Sequence, residues 1–194
     1  MSEHSPQVGR WVSGALPANV ILGTDSLITG PKAFARFRGE RQPALVVGNR
    51  CTLDGVHFAV NPGGVVSIGD ACVFYGSVLL CELEISIGHH VYLGWNATIS
   101  DSDFHPTELA ERHADVLACS PLGNGLPRRP YPSKPVRVGN DVYVGHHATV
   151  LKGVCIGDGA FIEPGSVVCR DVPPHARVMG NPAKVLELLP VPAW

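Results

Sequence analysis

Charge is scarce in this chain. Only 16% of its 194 residues are Asp, Glu, Lys or Arg, against 45% apolar residues, a balance that argues against intrinsic disorder. The formal net charge of −2 gives no bulk drive toward nucleic acid or an anionic membrane. Long apolar runs are also missing, since none reaches the roughly 18 residues of a membrane-spanning helix. The opening MSEHSPQVGR lacks the apolar core of a signal peptide. These absences predict a soluble cytoplasmic protein with neither a nucleic-acid nor a membrane partner. The six cysteines at positions 51, 72, 81, 119, 155 and 169 include no Cys-x-x-Cys pair, and no zinc-type spacing follows from them. Free buried thiols are the expectation for Cys51 and Cys72.

Turn formers, by contrast, abound. The 22 Gly and 17 Pro imply many turns and few long helices, and the glycines lack the three-residue period of collagen. The period that is present has six residues. Val138, Val144, Val150, Ile156, Ile162 and Val168 follow one another without a gap. Four residues after each stand Val142, Ala148, Val154, Ala160, Ser166 and Val172, all small or β-branched. Neither an amphipathic helix nor a lone alternating strand keeps such a beat. It recurs earlier as Ile87, Leu93 and Ile99, as Ile68, Phe74 and Leu80, as Val47 and Leu53, and more weakly as Leu22, Ile28 and Phe34.

If three hexads make one triangular turn, six turns fit, near 22–39, 47–64, 68–85, 87–104, 138–155 and 156–173. Each leading aliphatic then points into a prism, and Gly, Asn and Asp occupy its corners. The predicted fold is all-β: one domain forming a left-handed parallel β-helix. N-terminal coils over 20–104 and C-terminal coils over 138–173 flank an inserted loop at 105–137. The tail at 174–194 leaves the prism, and Ala183–Leu189 is expected to form a short capping helix. The whole excursion between Ile99 and Val138 contains six prolines and no hexad; loops of that length are commonly functional or disordered.

Three passages carry a family likeness: Ile99-Ser-Asp-Ser-Asp-Phe-His105-Pro106, the hexads Val138–Val168, and Arg170-Asp-Val-Pro-Pro followed by Gly180-Asn-Pro-Ala-Lys184. Together they resemble the hexapeptide-repeat acyltransferases, particularly the maltose, galactoside and xenobiotic O-acetyltransferase branch. The resemblance implies a homotrimer with active sites between neighbouring prisms, acetyl-CoA as donor, a small hydroxyl compound as acceptor, and no metal. It implies that His105 is the general base, a task suited to imidazole. A tetrahedral oxyanion would need a hydrogen-bond donor, which the sequence does not locate.

A 19-residue coil spacing places Glu82 beside Asp101 and Glu84 beside Asp103, near His105. Asp103 and Glu82 are the first candidates to orient the imidazole, while Glu84 and Asp101 are candidates for holding acceptor hydroxyls. Trp95 and Asn96 sit at outward positions, either at the acceptor pocket or at a subunit interface. By resemblance His146, Pro164, Cys169, Arg170 and Lys184 line coenzyme A, and the charge distribution agrees in sign: residues 128–184 hold 8 Lys/Arg against 4 Asp/Glu, whereas residues 1–127 hold 7 against 12. Galactoside acetyltransferases have an acceptor-binding Asn where this chain has Gly76, which argues against a galactoside-like acceptor. The competing readings are an N-acyltransferase, a zinc protein like the γ-carbonic anhydrases, which would draw on the chain's histidines, and a non-catalytic scaffold.

Overall fold

The structure, a computed structural model, describes residues 8–120 and 126–191. The segment through Gln7, which carries most of the leader expectation, lies outside the described residues, as do 121–125 of the excursion and the last three residues of the tail. Short strands wind into a three-faced prism. The first face stacks six strands, from Val20–Leu22 at one end to Cys155–Ile156 at the other. The second stacks nine, from Arg10–Trp11 to Ala183–Leu188, and the third five, from His57–Val60 to Val167–Val168. Neighbouring strands pair in parallel throughout, except for Ala176–Gly180 with Ala183–Leu188. This is the left-handed parallel β-helix that the repeat predicts, extended by the strand Arg10–Trp11 before the first expected coil.

The period of six follows from what the prism excludes from water. All six leading residues from Val138 to Val168 are buried, and so are the six that follow them by four, including Ser166. Burying a Val or Ile side chain contributes about 1.5–3 kcal/mol, and each turn packs only on its neighbours. Side chains at one corner form a second ladder. Asn49 N–H donates to Asp70 Oδ1 at 2.7 Å, Asp70 N–H to His89 Nδ1 at 2.9 Å, His89 N–H to Asn140 Oδ1 at 2.9 Å, and Asn140 N–H to Asp158 Oδ1 at 2.7 Å. This ladder explains the glycine before each corner: a Cβ at Gly139 would lie 2.3 Å from Asp158 Oδ1. His89 is thus a rung of the structural ladder.

Two expectations need correction. In the third coil Leu80 does not point inward; Leu79 and Cys81 are buried instead. The corner at Gly76 is one residue shorter than the corner at Trp95-Asn96, so the third face pairs Leu79 with Ile99 at a spacing of 20. A one-residue shift turns a strand's side chains to the opposite face. In the tail, Ala183–Leu188 forms an antiparallel strand rather than a helix. The edge strand Ala176–Gly180 offers unpaired backbone groups there, and pairing with it overrides the weak helical preference of a short segment.

The excursion contains the only helix among the described residues, α1 at Leu109–Cys119. Its N-cap is Glu108, whose carboxylate accepts from Glu111 N–H at 2.7 Å. At its neck the excursion is closed by an antiparallel bridge between Ser102 and Ser133.

Candidate active site

His105 follows Phe104, whose φ of +58° places an aromatic residue in the left-handed region. Such a conformation costs roughly 1–2 kcal/mol in a non-glycine residue and persists where its surroundings fix it. Arg128 supplies that fixing: its Nη2 donates to the Phe104 carbonyl at 2.6 Å. The same guanidinium reaches Asp115 on α1, with Nε 2.6 Å from Oδ1 and Nη2 3.1 Å from Oδ2. Arg129 N–H adds a further bond to Oδ1 at 3.1 Å. Asp115 is wholly buried, and the Arg128 guanidinium, before the contributions of His105 and Arg129 N–H, holds its carboxyl far below the ordinary carboxylate range.

His105 Nδ1 lies 2.7 Å from Asp115 Oδ2. An ionised carboxylate can only accept, so Nδ1 carries the proton, and in the neutral imidazole Nε2 keeps the lone pair. This fixes the tautomer in the way the acid of a catalytic triad does. The ring forms part of the wall of a cavity of about 570 Å³, shared with Arg36, Arg38, Asn61, Leu80 and Phe104. The outward turn of Leu80 places it in this wall.

The carboxylates selected from the sequence stand elsewhere. Asp103 pairs with Lys152 Nζ at 2.5 Å. Glu82 accepts from Tyr131 O–H at 2.8 Å and from Asn61 Nδ2; burial first, then that bond to Glu82, pushes the Tyr131 hydroxyl up to about 12. Neither Asp103 nor Glu82 touches His105 in the hydrogen-bond network; Asp115 takes the orienting position. Asp101, one residue out of the expected register, stacks over Cys81 and is wholly buried. Its oxygens accept the backbone N–H groups of Glu82, Leu83 and Glu84 at 2.7, 2.7 and 2.8 Å. That is a turn-holding arrangement, closed to an acceptor hydroxyl. Glu84 faces Arg137 at 3.9 Å, outside the cavity wall.

Trp95 is 59% exposed and stacks on Tyr75 with ring centroids 5.1 Å apart. Asn96 occupies a corner with φ of +57°, and Gly76 the corresponding corner of the preceding turn with φ of +55°. The position therefore selects residues that tolerate positive φ, which is a backbone reason for Gly76 independent of any acceptor. His146, Pro164, Cys169, Arg170 and Lys184 are all exposed. His146 and Pro164 follow one another up a single corner, where Gly165 N–H donates to the His146 carbonyl. Cys169 and Arg170 continue past Val167–Val168, and Lys184 sits opposite Met179 in the tail hairpin. None of the five lines the cavity at His105.

Among the described residues one trio has metal-ligand spacing, His105, Asp115 and Cys119. A cation there would compete with the Arg128 guanidinium for the same carboxylate oxygens, so the donor set is that of an ion pair. Cys51 and Cys72 are buried and free. The sequence reading missed Asp115 and Arg128. A helix that buries only an aspartate offers no apolar stripe, and the one available signal was an acid placed ten residues after His105 with arginines beyond it.

Residues 135–170 match the bacterial transferase hexapeptide family model. A provisionally named acetyltransferase of Staphylococcus aureus (strain COL) is 47% identical over 53 residues, 27% of each chain. Galactoside O-acetyltransferase of Escherichia coli (strain K12) is 32% identical over 113 residues, 58% of this chain and 48% of that protein. This chain thus spans between about a quarter and a half of the length of these curated relatives. A hexapeptide-repeat acetyltransferase of Vibrio cholerae, solved with acetyl-coenzyme A, superposes with a TM-score of 0.57 at 27% identity over 70% of this chain and 66% of that one. The prism shows the fold, a left-handed β-helix built of six-residue repeats, and its residues 135–170 are similar to the hexapeptide transferases. The three relatives named above are acetyltransferases by name.

Proposed function

We propose that the protein is an acyl-CoA-dependent O-acyltransferase, using acetyl-CoA and acting on a hydroxyl of a small molecule. The observation that carries this reading is the His105–Asp115 pair at the wall of the cavity. An alcohol is a poor nucleophile at neutral pH, and a base with a fixed lone pair overcomes that. His105 Nε2 removes the acceptor hydroxyl proton as the oxygen attacks the thioester carbonyl. The tetrahedral intermediate collapses with cleavage of the carbon–sulfur bond, and the imidazolium returns its proton to the departing thiolate. The products are the ester and free coenzyme A, and the enzyme forms no covalent intermediate.

On this reading Asp115 is a positioning residue, and Arg128 holds both it and the turn that presents His105. His146, Pro164, Cys169, Arg170 and Lys184 serve the donor, with Arg170 and Lys184 suited to its phosphates. The assembly is a homotrimer, and the exposed Trp95 belongs to the subunit interface or the acceptor pocket. The test is thiol release from acetyl-CoA with a panel of alcohols and amines. His105→Ala should lower kcat by roughly 10²–10⁴-fold with an unchanged circular dichroism spectrum. Retained activity in that variant removes His105 as the base, while transfer confined to amines replaces the O-acyl assignment with an N-acyl one.

A further inference from the structure

The cavity at His105 has an unusual electrostatic character for a chain with net charge −2. Arg36 and Arg38 line it together with residues of the excursion, and among the described residues no Asp or Glu lines it. A second depression of about 390 Å³ shares Arg36, Ala59 and Leu80 with it and adds Lys32 and His57, again without a carboxylate. The N-terminal part of the chain, which holds 7 cations against 12 acids over residues 1–127, thus places Lys32, Arg36 and Arg38 in the walls of two adjoining depressions. Three acids of the site have partners of their own. Asp115 is buried against Arg128, Glu82 accepts from Asn61 and Tyr131, and Asp103 pairs with Lys152.

Among the described residues neither Arg36 nor Arg38 has a carboxylate partner, and both side chains are exposed. The backbone around them is held, since Arg38 N–H donates to the Val60 carbonyl at 2.7 Å and Phe37 N–H to the Phe34 carbonyl at 3.1 Å. Phe34 and Phe37 pack against the core on either side of Arg36. Two arginines on an anchored segment therefore line the cavity that His105 also lines. Guanidinium forks match carboxylate and phosphate oxygens, and a cleft of one sign concentrates ligands of the other.

Resting on the acyltransferase reading above, we propose that the acceptor is an anion, a hydroxyl compound bearing a carboxylate or a phosphate that Arg36 and Arg38 hold while its hydroxyl faces His105. The matched probes are glucuronate and glucose 6-phosphate against glucose, and hydroxybenzoates against their methyl esters, with acetyl-CoA as donor. The anionic members should be acetylated with kcat/KM roughly ten- to a hundredfold above their neutral partners. Arg36→Gln and Arg38→Gln should erase that preference through the acceptor KM, with the acetyl-CoA KM retained. Preference for carboxylates over phosphates, or the reverse, identifies the class of anion.

A binding arm separates this proposal from the failure of acyl transfer itself. Titration calorimetry of the same anions, and of inorganic sulfate, needs no turnover. Wild type should bind them, and the Arg36→Gln/Arg38→Gln double variant should not. Equal turnover of neutral probes, equal anion binding by wild type and double variant, or no anion binding by wild type overturns the proposal. A loss confined to acetyl-CoA affinity in the variants also overturns it, by assigning the two arginines to the donor.

Discussion

Asp115 has little hydrogen-bonding capacity left over. His105, two nitrogens of Arg128 and Arg129 N–H fill the roughly four lone-pair sites of a carboxylate. Asp115→Asn keeps the shape but replaces one acceptor oxygen with a donor facing His105 or Arg128, and it releases the tautomer. If Asp115 positions the base, the variant should lose roughly 10²–10⁴-fold in kcat with little change in the KM for acetyl-CoA. A merely structural role would leave kcat of the folded fraction intact.

The same group sets an acid-stability prediction. Its native carboxyl pKa is depressed, chiefly by Arg128, so it adds stability above the unfolded value near 4 and loses it as pH falls through the native value. The Tm gap between wild type and Asp115→Asn should be largest above about pH 5 and shrink toward pH 2. A gap independent of pH would contradict the ion-pair account. The sequence pointed to His105 through the Asp-Phe-His-Pro passage, yet its partner was hidden. Hexad register extends only as far as the prism, and Asp115 arrives from a helix outside that register. Asp101 shows the converse problem, since one residue missing from the Gly76 corner moves an apparent surface acid into the interior.

Among the elements, the coils and the excursion are stabilised by different interactions. A coil is held by apolar burial, so Ile99→Ala, at a wholly buried position, should cost about 2–5 kcal/mol, measurable by urea denaturation. α1 has one buried residue, and that residue is charged. Its docking depends on Arg128, which also ties the Phe104 carbonyl. Arg128→Met should leave Asp115 buried without its strongest partner, making the 105–120 segment several times more susceptible to limited proteolysis while the urea midpoint of the prism changes little. Cooperative loss of both together would contradict this division. It also explains what was legible: the six-residue beat encodes coils directly, whereas α1 and the strand Ala183–Leu188 take their conformations from tertiary partners. Leu109, Val116 and Leu117 remain exposed on α1, so no stripe of burial marks that helix in the sequence.

For the molecule as a whole, the prism is scaffold, and the proposed function puts the chemistry where the repeat is interrupted. The fold follows from hexads that cover most of the chain. The site needs the excursion, whose neck is closed by the Ser102–Ser133 bridge and whose helix orients His105. The proposed donor makes a separate prediction: acetyl-CoA at 100 times its Kd should stabilise the fold by about 2.7 kcal/mol, seen as a rise in Tm that His105→Ala retains. The most direct measurement is thiol release from acetyl-CoA across the acceptor panel by wild type, His105→Ala and Asp115→Asn, each first shown to be folded and to bind acetyl-CoA. The account predicts acceptor-dependent release by wild type, near-complete loss in His105→Ala and a large kcat defect in Asp115→Asn. Acceptor-dependent release by His105→Ala at the wild-type rate would contradict it.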